Sequence, residues 1–125
     1  MSKNKLLIID DDLDTCQFLT DFLKNEGYEA GFILNGLQLI KKLEIDKPDL
    51  LIMDIKMSWI SGLELCKAVK TSSEFADIPV IFISVLGDEK TKKEALDVGA
   101  SAFLKKPIDL KLLLKTIRKV LKDEK

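Results

Sequence analysis

The chain has 125 residues, 46% hydrophobic and 33% charged, with 20 Lys/Arg against 21 Asp/Glu, a net charge of −1 and no histidine. That size and apolar content support one folded domain with its own core, and the balanced charge offers no broad field to nucleic acid or an anionic membrane. Without histidine there is no His-ligated zinc, Ser-His triad or histidine phosphoacceptor, and Cys16 and Cys66, which lack CxxC spacing, read as reduced packing residues in helices.

Met1–Lys5 leads into four apolar residues and then three aspartates. This is neither a signal peptide nor a membrane span, so a cytoplasmic protein is expected. Lys5–Ile9 is a continuous apolar run too short for a helix, hence a buried strand. Leu13–Asn25 follows as a helix with Leu13, Phe18, Leu19, Phe22 and Leu23 at helical spacing, closed by Gly27. Tyr28–Ile33 reads as a second strand, weakened by Ala30 and Gly31 and therefore at a sheet edge. Asn35-Gly36 is a turn before a helix over Leu37–Ile45, with Leu39, Ile40 and Leu43 inward and Pro48 ending it.

Leu50–Asp54 is the third strand. After a loop over Lys56–Gly62 comes a helix, Leu63–Lys70, with Leu63, Cys66 and Val69 periodic, then a polar connection over Thr71–Asp77. Pro79 introduces the fourth strand, Val80–Ser84, where a missing N–H is tolerated. Glu89–Val98 is a charged helix closed by Gly99, and Ala102–Leu104 is the fifth strand. A last helix runs from about Asp109 to Leu121, with Leu113, Ile117, Val120 and Leu121 on one face, and Lys122–Lys125 reads as its frayed end. The sum is an α/β chain: a (βα)5, doubly wound, three-layer domain with a five-stranded parallel sheet. One domain spans 1–125, its core about 5–121, with no output domain.

The strand ends carry the chemistry. Asp10, Asp11 and Asp12 follow the first strand, Asp54 the third, Ser84 the fourth, and Lys106-Pro107 the fifth. In an open parallel sheet these ends share one edge, where ligands bind. Carboxylates there supply the hard oxygen ligands of a divalent cation, and a lysine with a hydroxyl suits a phosphoryl group. Asp12 is better read as favouring the following helix's positive end. Ser84, Lys106 and Pro107 taken singly are an ordinary strand-end hydroxyl, a surface charge and a first-turn proline. Their convergence on one edge is what those separate readings leave unexplained.

These residues, with Gly62 eight positions beyond Asp54 and Gly99-Ala100 before the last strand, resemble the receiver domain of two-component response regulators over nearly the whole chain. The resemblance implies the strand order 2-1-3-4-5. It implies Mg²⁺, or Mn²⁺ in its place, on Asp11, Asp54 and the Lys56 backbone carbonyl, with Asp10 acting mostly through water. Asp54 would be the phosphoacceptor, and Lys106 and Ser84 would share the phosphoryl charge. Ser84 and Phe103 would form the switch, with a cis peptide before Pro107.

The implied partners are a histidine kinase or histidine phosphotransfer protein, met through Leu13–Lys24 and Lys106–Asp109, and a downstream protein target. The implied state is a monomer able to dimerise on activation, without direct nucleic-acid contact, and not a turnover enzyme. Lys111, Lys115 and Lys119 read most simply as a solvated face.

Four positions depart from the family pattern. Ser58 stands where proline is common, so a looser loop is expected. Val85 replaces a small residue and would narrow access to Asp54, and Ile108 replaces a frequent phenylalanine. Lys56 and Leu86 offer no carboxylate or amide to orient an attacking water, which implies a long-lived aspartyl phosphate.

Other classes fit less well. A haloacid-dehalogenase-type phosphatase needs Asp-x-Asp-x-Thr/Val, and Asp14 occupies the fifth place. A calcium loop beginning at Asp10 has Thr15 where glycine is required. No Gly-rich phosphate loop occurs. The remaining alternative is a receiver-like interaction module independent of phosphorylation.

Overall fold

The computed structural model describes residues 4–123; the expectations for Met1–Lys3 and for the last two residues of the tail lie outside them. Its elements are β1 (Lys5–Ile9), α1 (Leu13–Asn25), β2 (Glu29–Ile33), a 3-10 turn (Gly36–Gln38) and α2 (Leu39–Ile45). They continue with β3 (Leu50–Asp54), α3 (Gly62–Thr71), β4 (Val80–Ser84), α4 (Glu89–Asp97), β5 (Ala102–Lys105) and α5 (Leu110–Asp123). All four pairings are parallel, in the order β2-β1-β3-β4-β5.

Alternation along the strands divides the interior into two layers. Leu7, Ile9, Leu51, Met53, Val80 and Phe82 face α2, α3 and α4, whereas Leu6, Ile8, Leu50, Ile52, Ile81 and Ile83 face α1 and α5. Because both faces are covered, the strands are apolar on both sides. Each such side chain contributes about 1.5–3 kcal/mol relative to exposure. Asp54 and Ser84 end β3 and β4 within this core, at 9% and 0% exposure.

Several inward assignments differ from the sequence expectation. In α1 the buried face is Cys16, Leu19, Thr20 and Leu23, while Leu13 and Phe18 stand in solvent. The six apolar residues in that helix spread beyond one stripe, and the sheet accepts only one. In α2, Leu39 and Leu43 are buried but Ile40 is exposed, and the helix begins two residues late because Asn35 caps the 3-10 turn through Leu37 N–H. Tyr28 precedes β2, which starts at Glu29. In α3, Leu65 joins Cys66 and Val69 in the core, while Leu63 is half-buried. The connection after α3 is not wholly polar, since Phe75 is buried against the same layer. The helix expected over Glu89–Val98 ends at Asp97, β5 gains Lys105, and α5 runs on to Asp123. Both cysteines are free thiols in the core, and burial pushes the Cys16 thiol up to about 12.

Candidate functional site

β1 and β3 are neighbours, so the residues at their C-terminal ends emerge side by side. Asp10, Asp11 and Asp54 each place a carboxylate oxygen within 4.8 Å of the others. Lys106, just beyond β5, reaches across the sheet end to two of them. Its Nζ donates to Asp10 Oδ2 at 3.0 Å and to Asp54 Oδ2 at 3.2 Å. Its backbone N–H donates to the Ser84 carbonyl at 2.8 Å, fastening the lysine to the end of β4. The Lys106–Pro107 peptide is cis.

The second oxygens of the buried pair are held locally. Asp10 Oδ1 accepts from Asp12 N–H at 3.0 Å and Asp54 Oδ1 from Lys56 N–H at 3.3 Å. Asp12 itself caps α1, its carboxylate accepting from the Thr15 N–H and hydroxyl. The Thr15 hydroxyl bond holds the Asp12 carboxyl below the usual range, so Asp12 stands apart from the cluster, as its place at the helix start predicts. Ser84 is buried and its Oγ accepts from Leu86 N–H at 3.0 Å, turning it toward its own loop.

Two opposing effects set the protonation of this site. Burial first, and the Asp10 charge second, raise the Asp54 pKa, and Lys106 opposes them incompletely. For Lys106, burial alone would lower the pKa, but the hydrogen bonds and charges of Asp10 and Asp54 together raise it. If a private Lys106–Asp54 pair ruled the site, Asp54 would shift downward. It does not, because burial of its carboxylate and the neighbouring Asp10 charge outweigh the ammonium, which Asp10 shares at the shorter distance. Three carboxylates against one ammonium leave two negative charges uncompensated. That imbalance and the all-oxygen donor set fit a hard divalent cation.

Gly62 explains how α3 can start here. A Cβ on it would lie 2.2 Å from the Asp54 carbonyl oxygen, and its N–H donates to Ile55 O at 2.7 Å. Any side chain would push the helix off the strand that carries Asp54. Phe103 is half-buried, packed against the layer beneath α3 and α4.

Ser58 differs from expectation. Its N–H and its hydroxyl both donate to Asp11 Oδ2, at 3.0 and 3.1 Å. The loop after β3 is thus anchored where a looser one was expected. The next residue, Trp59, is exposed and has φ 77, a left-handed conformation for a non-glycine residue. Such backbone costs about 1–3 kcal/mol and persists only where its surroundings hold it. Val85 is exposed and Leu86 partly so, with Leu86 joining Lys56, Met57 and Trp59 around a cleft beside the cluster.

Known proteins fit this arrangement. The family model of the response regulator receiver domain matches residues 6–118. The chain is 34% identical over 122 residues to the transcriptional regulatory protein CrdR of Helicobacter pylori, covering 98% of this chain and 57% of that protein. It thus spans little more than half the length of that relative. It is 31% identical over 123 residues to the polar-differentiation response regulator DivK of Brucella anthropi, covering 98% of this chain and 99% of DivK. Among solved structures it superposes on the chemotaxis protein CheY4 of Vibrio cholerae with a TM-score of 0.89 at 29% identity, covering 95% of this chain and 99% of that one.

Proposed function

This chain belongs to the response regulator receiver domain family, and from that premise we propose that it is a Mg²⁺-dependent phosphoacceptor switch with Asp54 as the acceptor. The observation that carries the reading is Lys106 Nζ bridging Asp10 and Asp54 at 3.0 and 3.2 Å beside the exposed Asp11. A cation held by Asp10, Asp11, Asp54 and the Lys56 carbonyl would neutralise the excess negative charge and polarise a phosphoryl group. Mn²⁺ offers the same hard coordination.

Asp54 sits at the end of a rigid buried strand, so its position is fixed before any donor arrives. An Asp54 oxygen attacks the phosphorus of a partner's phosphohistidine. The new O–P bond forms as the N–P bond breaks, and the imidazole leaves with the electron pair. Lys106 stands ready to exchange a carboxylate contact for a phosphoryl oxygen, which is positioning with electrostatic stabilisation. Ser84 would give up its bond from Leu86 N–H and turn to the phosphoryl group, drawing the loop after β4 inward. Phe103, half-buried on the edge strand, would follow and change the α4–β5–α5 surface seen by a downstream protein.

The donor is a histidine kinase or a histidine phosphotransfer protein. Leu13 and Phe18, apolar yet exposed on α1, supply a contact face beside the loop after β5. The switch works in the cytoplasm, and its chemistry is one self-modification rather than turnover of a substrate. Among the described residues no helix is long and apolar enough to cross a membrane.

Incubation with acetyl phosphate and Mg²⁺, followed by intact mass, tests the reading. One phosphoryl group, labile to base and to hydroxylamine and absent in Asp54→Asn, is expected. Uptake by no donor despite cation binding would transfer the protein to a phosphorylation-independent interaction module. The phosphoryl group should also decay slowly, because Lys56 and Leu86 present no carboxylate or amide to an attacking water. Decay as fast as in receivers with an acid or amide at those places would remove that part.

A further inference from the structure

Ser58 is the one residue of the loop after β3 whose backbone and side chain both donate to a member of the carboxylate cluster, and the two bonds end on the same atom, Asp11 Oδ2. A carboxylate oxygen offers two lone-pair directions. Both are taken here, so Oδ2 is saturated by protein donors and Oδ1 is the oxygen left to a cation.

Asp11 also differs from its neighbours in exposure. Asp10 and Asp54 are buried and pinned by Lys106, whereas Asp11 is exposed and has no part in that ion pair. Repulsion from two adjacent carboxylates would favour its rotation into water. The Ser58 donors hold it beside them instead. Hydrogen bonds that orient a ligating carboxylate typically govern metal affinity by about 10–100-fold.

Resting on the reading of this edge as a cation site, we propose that Ser58 is a positioning residue that holds the Asp11 carboxylate in its ligating orientation before the cation arrives. A proline at this place has neither an N–H nor a hydroxyl, so it removes both bonds. Alanine removes one. Threonine keeps both.

Mn²⁺ binding, counted from the electron paramagnetic resonance signal of the free ion, separates these cases without using phosphorylation as the readout. The order of affinity expected is wild type equal to Ser58→Thr, then Ser58→Ala several-fold weaker, then Ser58→Pro weaker by about 10-fold or more. Thermal unfolding of each metal-free variant is measured in parallel. Should Ser58→Pro fail to fold, the comparison of Ser58→Ala with Ser58→Thr decides. Ser58→Ala or Ser58→Pro binding Mn²⁺ as tightly as wild type, or more tightly, overturns the proposal. Wild-type protein that binds no Mn²⁺, or binds it equally after Asp54→Asn, overturns the cation site itself.

Discussion

At the N-terminal end of the sheet Lys5 Nζ meets Asp46 Oδ1 at 2.8 Å, and at the C-terminal end Lys106 Nζ meets Asp10 and Asp54 at 3.0 and 3.2 Å. The shorter contact is the less consequential one. Lys5 and Asp46 are each about half exposed, at 47% and 48%, so water supports either charge once they part. Their hydrogen bond raises the lysine pKa and lowers the aspartate's, the mutual stabilisation of a simple pair. At the other end Asp10 and Asp54 are at most 10% exposed, and one ammonium serves both. There Asp54 moves upward despite its partner. Burial and an unequal count of charges, rather than distance, leave one end with negative charge in excess, while the other remains a solvated rim.

The contrast breaks most decisively at the acceptor. Asp54→Asn should abolish phosphoryl uptake measured by intact mass, whereas Asp46→Asn should leave it unchanged. Next in size is the lysine. Lys106→Met should slow uptake from acetyl phosphate by about 100-fold, the usual loss when one preorganised donor is removed. It should also lower stability by about 1–2 kcal/mol in denaturant titrations, because two carboxylates lose their shared partner. Lys5→Met should do neither.

A third contrast uses glycines. Gly62→Ala, forced against the Asp54 carbonyl, should cost about 3 kcal/mol of stability. Gly31→Ala, in the groove near Lys5 with nothing within 4 Å of its added carbon, should cost little. Thermal midpoints of the two variants compare them directly.

The smallest effect is in pH. A carboxyl whose folded pKa is raised contributes stability that is whole below its unfolded value of about 3.9 and is lost as pH rises through the folded value. Metal-free wild type should therefore lose stability relative to Asp54→Asn as pH climbs from that value toward neutrality. Saturating Mg²⁺ should reverse the order. Unfolding in chelator at a series of pH values, with and without the ion, checks the sign.

Much of this was legible in the chain. The bounds of β1, β3 and β4 follow from apolar runs stopped by aspartate or serine, those of α1 from helical spacing closed by Gly27, and the strand stops name Asp10, Asp54 and Ser84. A helix as short as α2 gives too few periods to reveal that Ile40 turns outward. Phe75 was hidden because a single apolar anchor among Ser72, Ser73, Glu74 and Asp77 has no period at all. The Ser58–Asp11 bonds join residues 47 apart. Sequence marks Ser58 as unusual, but only the packing of the loop after β3 against the end of β1 shows what its donors reach.

The most direct test is to phosphorylate the protein with acetyl phosphate and Mg²⁺, reduce it with borohydride, and sequence its peptides by mass spectrometry. Reduction converts an aspartyl phosphate to homoserine and so marks the acceptor itself. Homoserine at position 54 alone, absent when Mg²⁺ is omitted, is the result predicted. Homoserine at Asp10, Asp11 or elsewhere, or none after any phosphodonor, would contradict the assignment of Asp54 as the acceptor.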